Sequence, residues 1–596
     1  MKRKVLIICL FISSFLLNAQ ENRLIYKKSI LKSDSKATSI LKKSNANKSV
    51  DFVNINLEVL SRNEDFILQF GDSEYSIEKE KINVRDIRSF CFTGKNKNQN
   101  GSIVMSILED DIQGTITNGN AVYRIETIGK DDYAIVLMDQ SKLIEKCDNT
   151  TNEAVNTSQL KHYENDSNNS DDSNISTNSI QFKSEVLEEQ YNSCKIRVLV
   201  LFTPAAKASV SDIRNTILLA IEETNQSFLR SAINYEIELV YIAETNYVEH
   251  DIDIDRVRFS LNGDGYMDEV HSLREKYSAD ICVLMNNDAR YCGASYVGAS
   301  SSSAFCVVKA YLCATGNYSF GHEIGHLIGC RHDFNVDNSI TPFSYGHGYV
   351  SPNKLWRTIM ATGKECNDCI RIQNWSNPNV SYGGFPTGTE VICNTARVWN
   401  EQAPTALAFM QPANSVIVSS SDVANGTYSN IVAKQDISTL GDVDITTGKA
   451  LCFKAGDNII LKTGFSAFEG SEFYGGIENI TDCGSTSLKF AKVQIDDVSA
   501  YSNDVAVLTE NALFLAISPN PTNDLLNIEF KTYQNSEVSI SLVNFLGCEL
   551  RVIQDRENFE SGNFNIQTSV SDLSVGVYFI VLKIGEKVIV KKLIIN

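Results

Sequence analysis

The segment GHEIGHLIGCRHD at residues 321–333 constrains the fold of this chain more than any other feature. His322 and His326 are four residues apart, so on a helix they lie on one face and reach one metal ion. Gly329 is expected to end that helix, because glycine tolerates the left-handed turn needed there. The chain then doubles back and brings His332 to the same ion. Three imidazole ligands with one open position predict a catalytic zinc site rather than a structural one.

Glu323 lies beside the first histidine and is the predicted catalytic residue. Its carboxylate is placed to take a proton from water activated by zinc and to pass it to a leaving amine. Two alternatives stay open, a non-catalytic zinc-containing adhesin or matrix-binding protein on the same fold, and another zinc hydrolase such as an amidase. The presence of Glu323 favours an enzyme that cuts peptide bonds.

The N-terminus predicts export. Three basic residues at positions 2–4 precede an apolar run at 5–17, with Ala19 as the cleavage residue, so residues 1–19 are expected to be a signal peptide. The apolar run is too short to cross about 30 Å of hydrocarbon, and the sequence predicts no transmembrane segment in the mature protein. A net charge of −19 argues against nucleic acid as a partner.

The composition along the chain predicts a multidomain protein. Short runs of alternating polar and apolar residues predict a β-rich propeptide at 20–148, and an Asn/Ser/Asp-rich stretch predicts a linker with the activation cleavage at 149–193. Strand–helix–strand alternation predicts an α/β catalytic domain at 194–412. Short strands separated by glycine turns predict a small β-solenoid or sandwich domain at 413–500, with rungs about eight residues apart. A last β-rich unit is predicted at 513–596.

The histidine segment resembles that of the metzincin metalloendopeptidases, whose HExxHxxGxxH pattern is followed by a Met-turn. Met360, in RTIMAT, corresponds to the Met-turn. Asp333 directly after the third histidine resembles the reprolysin-like branch, in which this aspartate packs below the site without binding zinc. Thr362 stands two positions after Met360, so the switchable tyrosine ligand of astacin- and serralysin-like enzymes is absent there.

Further segments resemble bacterial reprolysin-like enzymes of the peptidyl-Asp metalloendopeptidase type. They are VLVLFTPAAK (198–207), DGYMDEVHSLREKYSADICVLM (264–285), YCGASYVG (291–298), CATGNYSFGHEIGH (313–326), YGHGY (345–349) and WSNPNV (375–380). The resemblance covers roughly 194–410 and implies protein or peptide substrates, with a preference for Asp after the scissile bond. Arg371 is the candidate partner of that acidic side chain, and a solvated surface arginine is the alternative. An edge strand within 305–312 is expected to pair with extended substrate.

The C-terminal unit has a resemblance of its own. SPNP (518–521), VNFLG (543–547), GVYFIVL (576–582) and the terminal KKLIIN resemble the β-sandwich sorting domain of the type IX secretion system. This resemblance implies a Gram-negative source, the type IX machinery as a partner, and a secreted or cell-surface location beyond the outer membrane.

Fifteen cysteines in an exported chain favour disulfides. Cys292 and Cys313 are the first pair expected, and Cys366-x-x-Cys369 is expected to be a disulfide rather than a second metal site. Cys147, just before the linker, is the candidate thiolate that occupies the open zinc position in a proenzyme.

An acidic run offers a second metal hypothesis. Asp251, Asp253 and Asp255 present oxygen ligands of the kind calcium prefers. The run lacks the glycine and the distant glutamate of a calcium loop, so a solvated acidic run is the favoured interpretation. The expected cofactor is therefore one catalytic zinc ion, with Ca²⁺ as an additional alternative.

Overall fold

The computed structural model describes residues 22–28, 34–61, 65–86, 89–97, 100–119, 121–143, 195–288, 290–366, 369–468, 471–477, 480, 514–532, 534–544, 549–573, 576–584 and 587–595. The predicted signal peptide, the predicted linker and Cys147 lie outside these residues. No helix within them has the length and apolar character that a membrane crossing needs.

The N-terminal strands close into a barrel, with helix α1 (Asp34–Lys43) packed on its outside. The barrel strands are β1 Arg23–Lys27, β2 Asn47–Ile55, β3 Phe66–Phe70, β4 Ser73–Asp86, β5 Ser89–Asn96, β6 Gly101–Leu108, β7 Asp111–Asn118, β8 Ala121–Gly129 and β9 Asp132–Met138. β1 pairs with β2 antiparallel and with β3 parallel, which removes the free sheet edges. Phe66, Leu68 and Phe70 alternate into the barrel core.

The next segment is an α/β unit around the histidine motif. Its elements are β10 Lys195–Phe202, α2 Pro204–Ser209, α3 Ile213–Arg230, β11 Glu236–Glu244, α4 Ile252–Ser260, α5 Glu269–Lys276, β12 Ile281–Asn286, β13 Gly293–Ser295, β14 Phe305–Lys309, α6 Ser319–Ile328, β15 Trp356–Arg357, β16 Ile370–Arg371, β17 Ser381–Tyr382, β18 Phe385–Pro386 and α7 Thr395–Ala406. β10 is buried along almost its whole length because both faces of the sheet are covered. Asp212 caps α3 by accepting from the Arg214 and Asn215 amides.

The outermost strand at the motif end of this sheet is β13, so the prediction that residues 305–312 contain the edge strand is wrong. β14 pairs with β12 on one side and with β13 on the other. β13 runs antiparallel, with Gly293 opposite Val308 and Ser295 opposite Cys306. A strand of three residues is too short for its alternation to be visible in the sequence, and it therefore escaped prediction.

Residues 415–468 and 471–477 stack as parallel rungs of a β-solenoid. Its elements are β19 Ser415–Val418, α8 Ser420–Ala424, β20 Gly426–Ala433, β21 Asp436–Thr439, β22 Val443–Ile445, β23 Ala450–Ala455, β24 Asn458–Ile460, β25 Phe465–Ala467 and β26 Glu472–Ile477. Asp436 is bonded to Ser415 and Asn458 of the neighbouring rungs at sequence separations of 21 and 22. Strands about eight residues apart are therefore successive faces of one rung, and the predicted eight-residue rung is wrong.

The solenoid and the α/β unit share one sheet. β20 pairs antiparallel with β11, and the strand order β13-β14-β12-β10-β11-β20-β23-β26 runs through both segments. Tyr277 stacks on Tyr241 at 4.4 Å between ring centroids, and its hydroxyl donates to the Asp422 carbonyl at 2.8 Å. One apolar cluster contains both Leu199 of β10 and Phe453 of β23. The two segments are therefore one packed unit.

The C-terminal strands form a sandwich of two sheets, in the orders β27-β28-β31 and β30-β29-β32-β33. The strands are β27 Phe514–Ser518, β28 Leu525–Thr532, β29 Ser536–Asn544, β30 Glu549–Phe559, β31 Gly562–Ser569, β32 Gly576–Ile584 and β33 Lys587–Ile595. Leu526, Ile528 and Phe530 alternate into the core between the sheets.

The shared core predicts that the solenoid and the α/β unit unfold together. Phe453→Ala should lower the free energy of unfolding of the combined unit by about 3–5 kcal/mol, because a fully buried ring is replaced by a cavity. Differential scanning calorimetry should show one lowered transition for both segments. The matched truncation Phe530→Ala, in the C-terminal sandwich, should leave that transition in place. An α/β transition unmoved by Phe453→Ala would contradict the shared core.

Candidate metal centre

Helix α6 presents two histidines on one buried face, and the returning chain supplies the third. Gly329 ends the helix with a φ of 111°. The Nε2 atom of His326 lies 3.1 Å from the Nε2 atoms of His322 and His332, and the latter two are 3.2 Å apart. Of the residues that the structure describes, only these form a group of three metal-ligand side chains.

Backbone carbonyls fix the orientation of two of the rings. His322 Nδ1 lies 2.8 Å from the Ile359 carbonyl, and His326 Nδ1 lies 2.8 Å from the Cys330 carbonyl. Because a carbonyl only accepts, each Nδ1 carries the proton and each Nε2 presents a lone pair. Lone pairs that converge at this distance repel unless a cation lies between them. The donor set therefore fits a zinc ion with Zn–N distances of about 2.0–2.1 Å.

The electrostatics of the site keep the imidazoles neutral. Burial lowers the pKa of His326 to about 3 and that of His332 to about 3. Burial also lowers the pKa of His322 well below its usual range, and the positive charge of Arg371 adds to this effect at His322 and His332. Neutral imidazoles are the form that binds a metal.

Met360 lies directly beneath α6 and is fully buried. A methyl group added at Gly325 would lie closer than 3.0 Å to the Met360 sulfur and to the Trp375 ring, so this turn of the helix needs glycine. Asp333 accepts from the Thr362 amide at 2.7 Å and from its hydroxyl at 3.0 Å. Asp333 therefore ties the third-histidine segment to the chain after Met360 and does not belong to the histidine group.

Glu323 is almost completely buried beside the histidines. The Ser295 hydroxyl, on the outermost strand β13, donates to Glu323 Oε2 at 2.6 Å. Ser295 was not predicted as a site residue, because the two residues are 28 positions apart and no spacing rule connects them.

Arg371 is fully buried, so the alternative of a solvated surface arginine is wrong. Its guanidinium donates to the Asn317 carbonyl at 3.0 Å and to the Ala361 carbonyl at 3.1 Å. Arg371 thus joins the loop that enters α6 to the chain that follows Met360.

The barrel covers the same two segments. The Gln140 carboxamide donates to the Gly316 carbonyl at 2.8 Å and accepts from the Arg371 amide at 2.7 Å. On the barrel side of α3, Glu223 is completely enclosed, and burial raises its pKa to about 8. The Gly316 amide, at 3.0 Å, and Thr115 of the barrel offset only part of that burial effect. These contacts could not be predicted from sequence patterns, because they join distant segments.

Both predicted disulfides are confirmed, Cys292–Cys313 and Cys366–Cys369. The first ties the start of β13 to the loop before α6.

Asp251 and Asp255, two of the predicted calcium ligands, are engaged by the protein itself, and the favoured interpretation of a solvated acidic run is wrong for Asp255, which is buried. Asp251 accepts from the Asp253 and Ile254 amides as the cap of α4. The buried Asp255 carboxylate accepts from the Tyr247 hydroxyl at 2.8 Å and from the Asn286 side chain at 3.0 Å.

Comparisons with known proteins agree with this geometry. Residues 192–376 match the profile of metallo-peptidase family M12. Residues 516–596 match that of a secretion system C-terminal sorting domain. This domain marks the chain for type IX secretion across the outer membrane, as the C-terminal motifs predicted.

Similar proteins include several peptidyl-Asp metalloendopeptidases. The one of Stenotrophomonas maltophilia (strain R551-3) is 42% identical over 221 residues, covering 36% of this chain and 52% of that protein. The one of Xanthomonas campestris pv. campestris is 43% identical, covering 34% of this chain and 49% of that protein. The one of Pseudomonas fragi is 38% identical over 176 residues, covering 29% of this chain and 94% of that protein. The chain thus spans about half the length of the first two relatives.

The enclosed Glu223 predicts a pH-dependent stability. In the folded protein, Glu223 keeps its proton up to about pH 8, whereas the ordinary pKa of a glutamate side chain is 4.5. The contribution of Glu223 to the free energy of unfolding is therefore complete below about pH 4.5. As the pH rises from there to about 8, this contribution falls by at most about 1.4 kcal/mol per pH unit. Glu223→Gln should flatten the fall in melting temperature between pH 5 and pH 8.5. The exposed Glu275→Gln should keep the parental slope, and equal slopes for all three proteins would contradict the assignment.

Proposed function

The chain belongs to metallo-peptidase family M12, and from this premise we propose that it is a secreted zinc-dependent endopeptidase that hydrolyses peptide bonds of proteins. The observation that carries the proposal is the convergence of three Nε2 atoms beside a buried glutamate. His322, His326 and His332 would hold one zinc ion. The ion would supply Lewis-acid activation of a water molecule and of the scissile carbonyl.

Glu323 performs the proton transfers in this proposal. Its carboxylate takes a proton from the attacking water and later delivers it to the leaving amine, as a general base and then a general acid. The nearly complete burial of Glu323 supports this role, because the carboxylate is shielded from bulk water during the transfer.

We propose Arg371 as the partner of an acidic side chain after the scissile bond. Its charge acts on His322 and His332, which places a fixed cation near the metal-binding nitrogens. The relatives named as peptidyl-Asp metalloendopeptidases support a preference for Asp at that position.

The N-terminal barrel is the proposed propeptide. Gln140 occupies hydrogen-bonding groups of the loop before α6 and of the strand after Met360, so the docked barrel holds both segments in place. Removal of the barrel would release the Gly316 carbonyl and the Arg371 amide. Ligation of zinc by the Cys147 thiolate stays a prediction, since that residue lies outside the described part of the chain.

A calcium ion at Asp251, Asp253 and Asp255 is the alternative cofactor. The amide and hydroxyl donors already bonded to Asp251 and Asp255 oppose it. The proposed cofactor set is therefore a single zinc ion.

A non-catalytic adhesin on the same fold and a zinc amidase are the competing functions. The retained Glu323 opposes the first, and family membership opposes the second. Chelator-sensitive hydrolysis of casein, compared with hydrolysis of a non-peptide amide, separates the three.

Glu323→Gln should lower turnover of casein by about 10²–10⁴-fold while the zinc-to-protein ratio stays at the parental value, because the carboxylate moves protons and is not needed to hold the metal. The surface variant Glu275→Gln is the matched control and should keep full activity. Normal turnover in a zinc-loaded Glu323→Gln protein would refute the proposed role.

Arg371→Ala should abolish a preference for Asp after the scissile bond in a peptide library, and Arg371→Lys should keep part of it, since the charge is retained. Arg397→Ala, on the exposed side of α7, controls for loss of an arginine. Melting temperatures identify variants that have merely unfolded. A preference for Asp that survives in folded Arg371→Ala protein would exclude Arg371 as the partner.

A further inference from the structure

We propose that Ser295 is a positioning residue, whose hydroxyl holds the Glu323 carboxylate in one orientation against the outermost strand β13. The proposal rests on the proposed function, in which Glu323 moves the protons. It assigns to β13 a task beyond the backbone pairing expected of an edge strand.

The central contact is short and joins two different elements. Ser295 Oγ donates to Glu323 Oε2 at 2.6 Å, which is within the range of hydrogen bonds between a hydroxyl and a charged carboxylate. Ser295 lies on β13 and Glu323 on the metal-binding helix α6. The bond therefore sets the position of the base relative to the sheet as well as to the helix.

Gly293 forms the other wall around the same carboxylate. Residues 293 and 295 point to the same face of the strand, because side chains alternate along it. A methyl group at Gly293 would lie closer than 3.0 Å to three atoms of the Glu323 side chain, including Oε1. The missing side chain at 293 and the hydroxyl at 295 together make a slot that the Glu323 carboxylate fills.

Two connections keep this slot in place. β13 is paired along its length with β14, with Gly293 opposite Val308 and Ser295 opposite Cys306. The Cys292–Cys313 disulfide then ties the residue before Gly293 to the loop that leads into α6. The strand pairing and the disulfide thus both hold the slot in place relative to the helix that carries Glu323.

The position of the slot on the outermost strand has a consequence for substrate. An extended peptide that adds to this edge would bond to the backbone of β13, while the side chain of Ser295 holds the base. Loss of the hydroxyl should therefore change the chemical step and leave peptide binding intact.

The first test separates kcat from KM in the zinc-loaded protein from which the proposed propeptide has been cleaved. Ser295→Ala should lower kcat on a peptide substrate by about ten-fold or more, the usual effect of losing a residue that orients a metal-site group. KM and the zinc-to-protein ratio should stay within two-fold of the parent. Ser295→Thr keeps the hydroxyl and should recover most of the loss, whereas the exposed Ser302→Ala should match the parent.

The second test acts on the opposite wall. Gly293→Ala should lower kcat to a similar extent, because the added methyl group would displace the Glu323 side chain from its slot, and its melting temperature shows whether the variant is folded. Crystal structures of the parent and of Ser295→Ala give a readout that does not depend on activity. The parent should show a single Glu323 orientation bonded to Ser295, and Ser295→Ala should show a displaced or divided one.

A Ser295→Ala protein with parental kcat and an unchanged Glu323 orientation would overturn the positioning role while the peptidase activity of the parent stands. A parent without chelator-sensitive peptidase activity would instead overturn the proposed function. In that case the Glu323 orientation in the two crystal structures decides the positioning role by itself.

Discussion

The convergence of three imidazole Nε2 atoms on one place is the constraint on which the rest of the site depends. The Ile359 and Cys330 carbonyls each accept from an Nδ1 atom, so that His322 and His326 both present an Nε2 lone pair to this place. Ile359 precedes Met360, so the packing of the methionine beneath α6 also fixes the carbonyl that orients His322. The metal-binding nitrogens and the buried core below them are therefore parts of one arrangement.

The sequence predicted the residues whose geometry is local. His322 and His326 are related by one helical turn and Gly329 by the turn that ends the helix, so the motif alone placed them. The sequence did not predict Ser295 beside Glu323 or Gln140 beside Arg371, because both pairs meet only through strand order and barrel docking. The eight-residue spacing in the solenoid was misassigned for a related reason, since a periodic sequence does not reveal how many strands make one rung.

The barrel and the solenoid are attached to the α/β unit by different kinds of interaction. The barrel is held through many polar contacts, such as Asn83 with Glu222 at 3.0 Å and Gln113 with the Asp212 carbonyl at 2.8 Å, besides a small apolar cluster. Polar groups regain water when such an interface opens, so separation of the barrel is feasible. The solenoid is joined through a continuous sheet and a shared apolar core, and its removal would expose both.

The shared sheet also imposes an order on maturation. Strand β20 completes the pairing of β11, yet Ile242 and Thr427, which meet at that junction, are 185 residues apart in the chain. Because synthesis begins at the N-terminus, β11 is made long before its partner strand β20. The sheet beside the metal-binding helix is therefore completed late in synthesis, and a chain that ends before residue 426 would have an unpaired β11 edge and an incomplete apolar core.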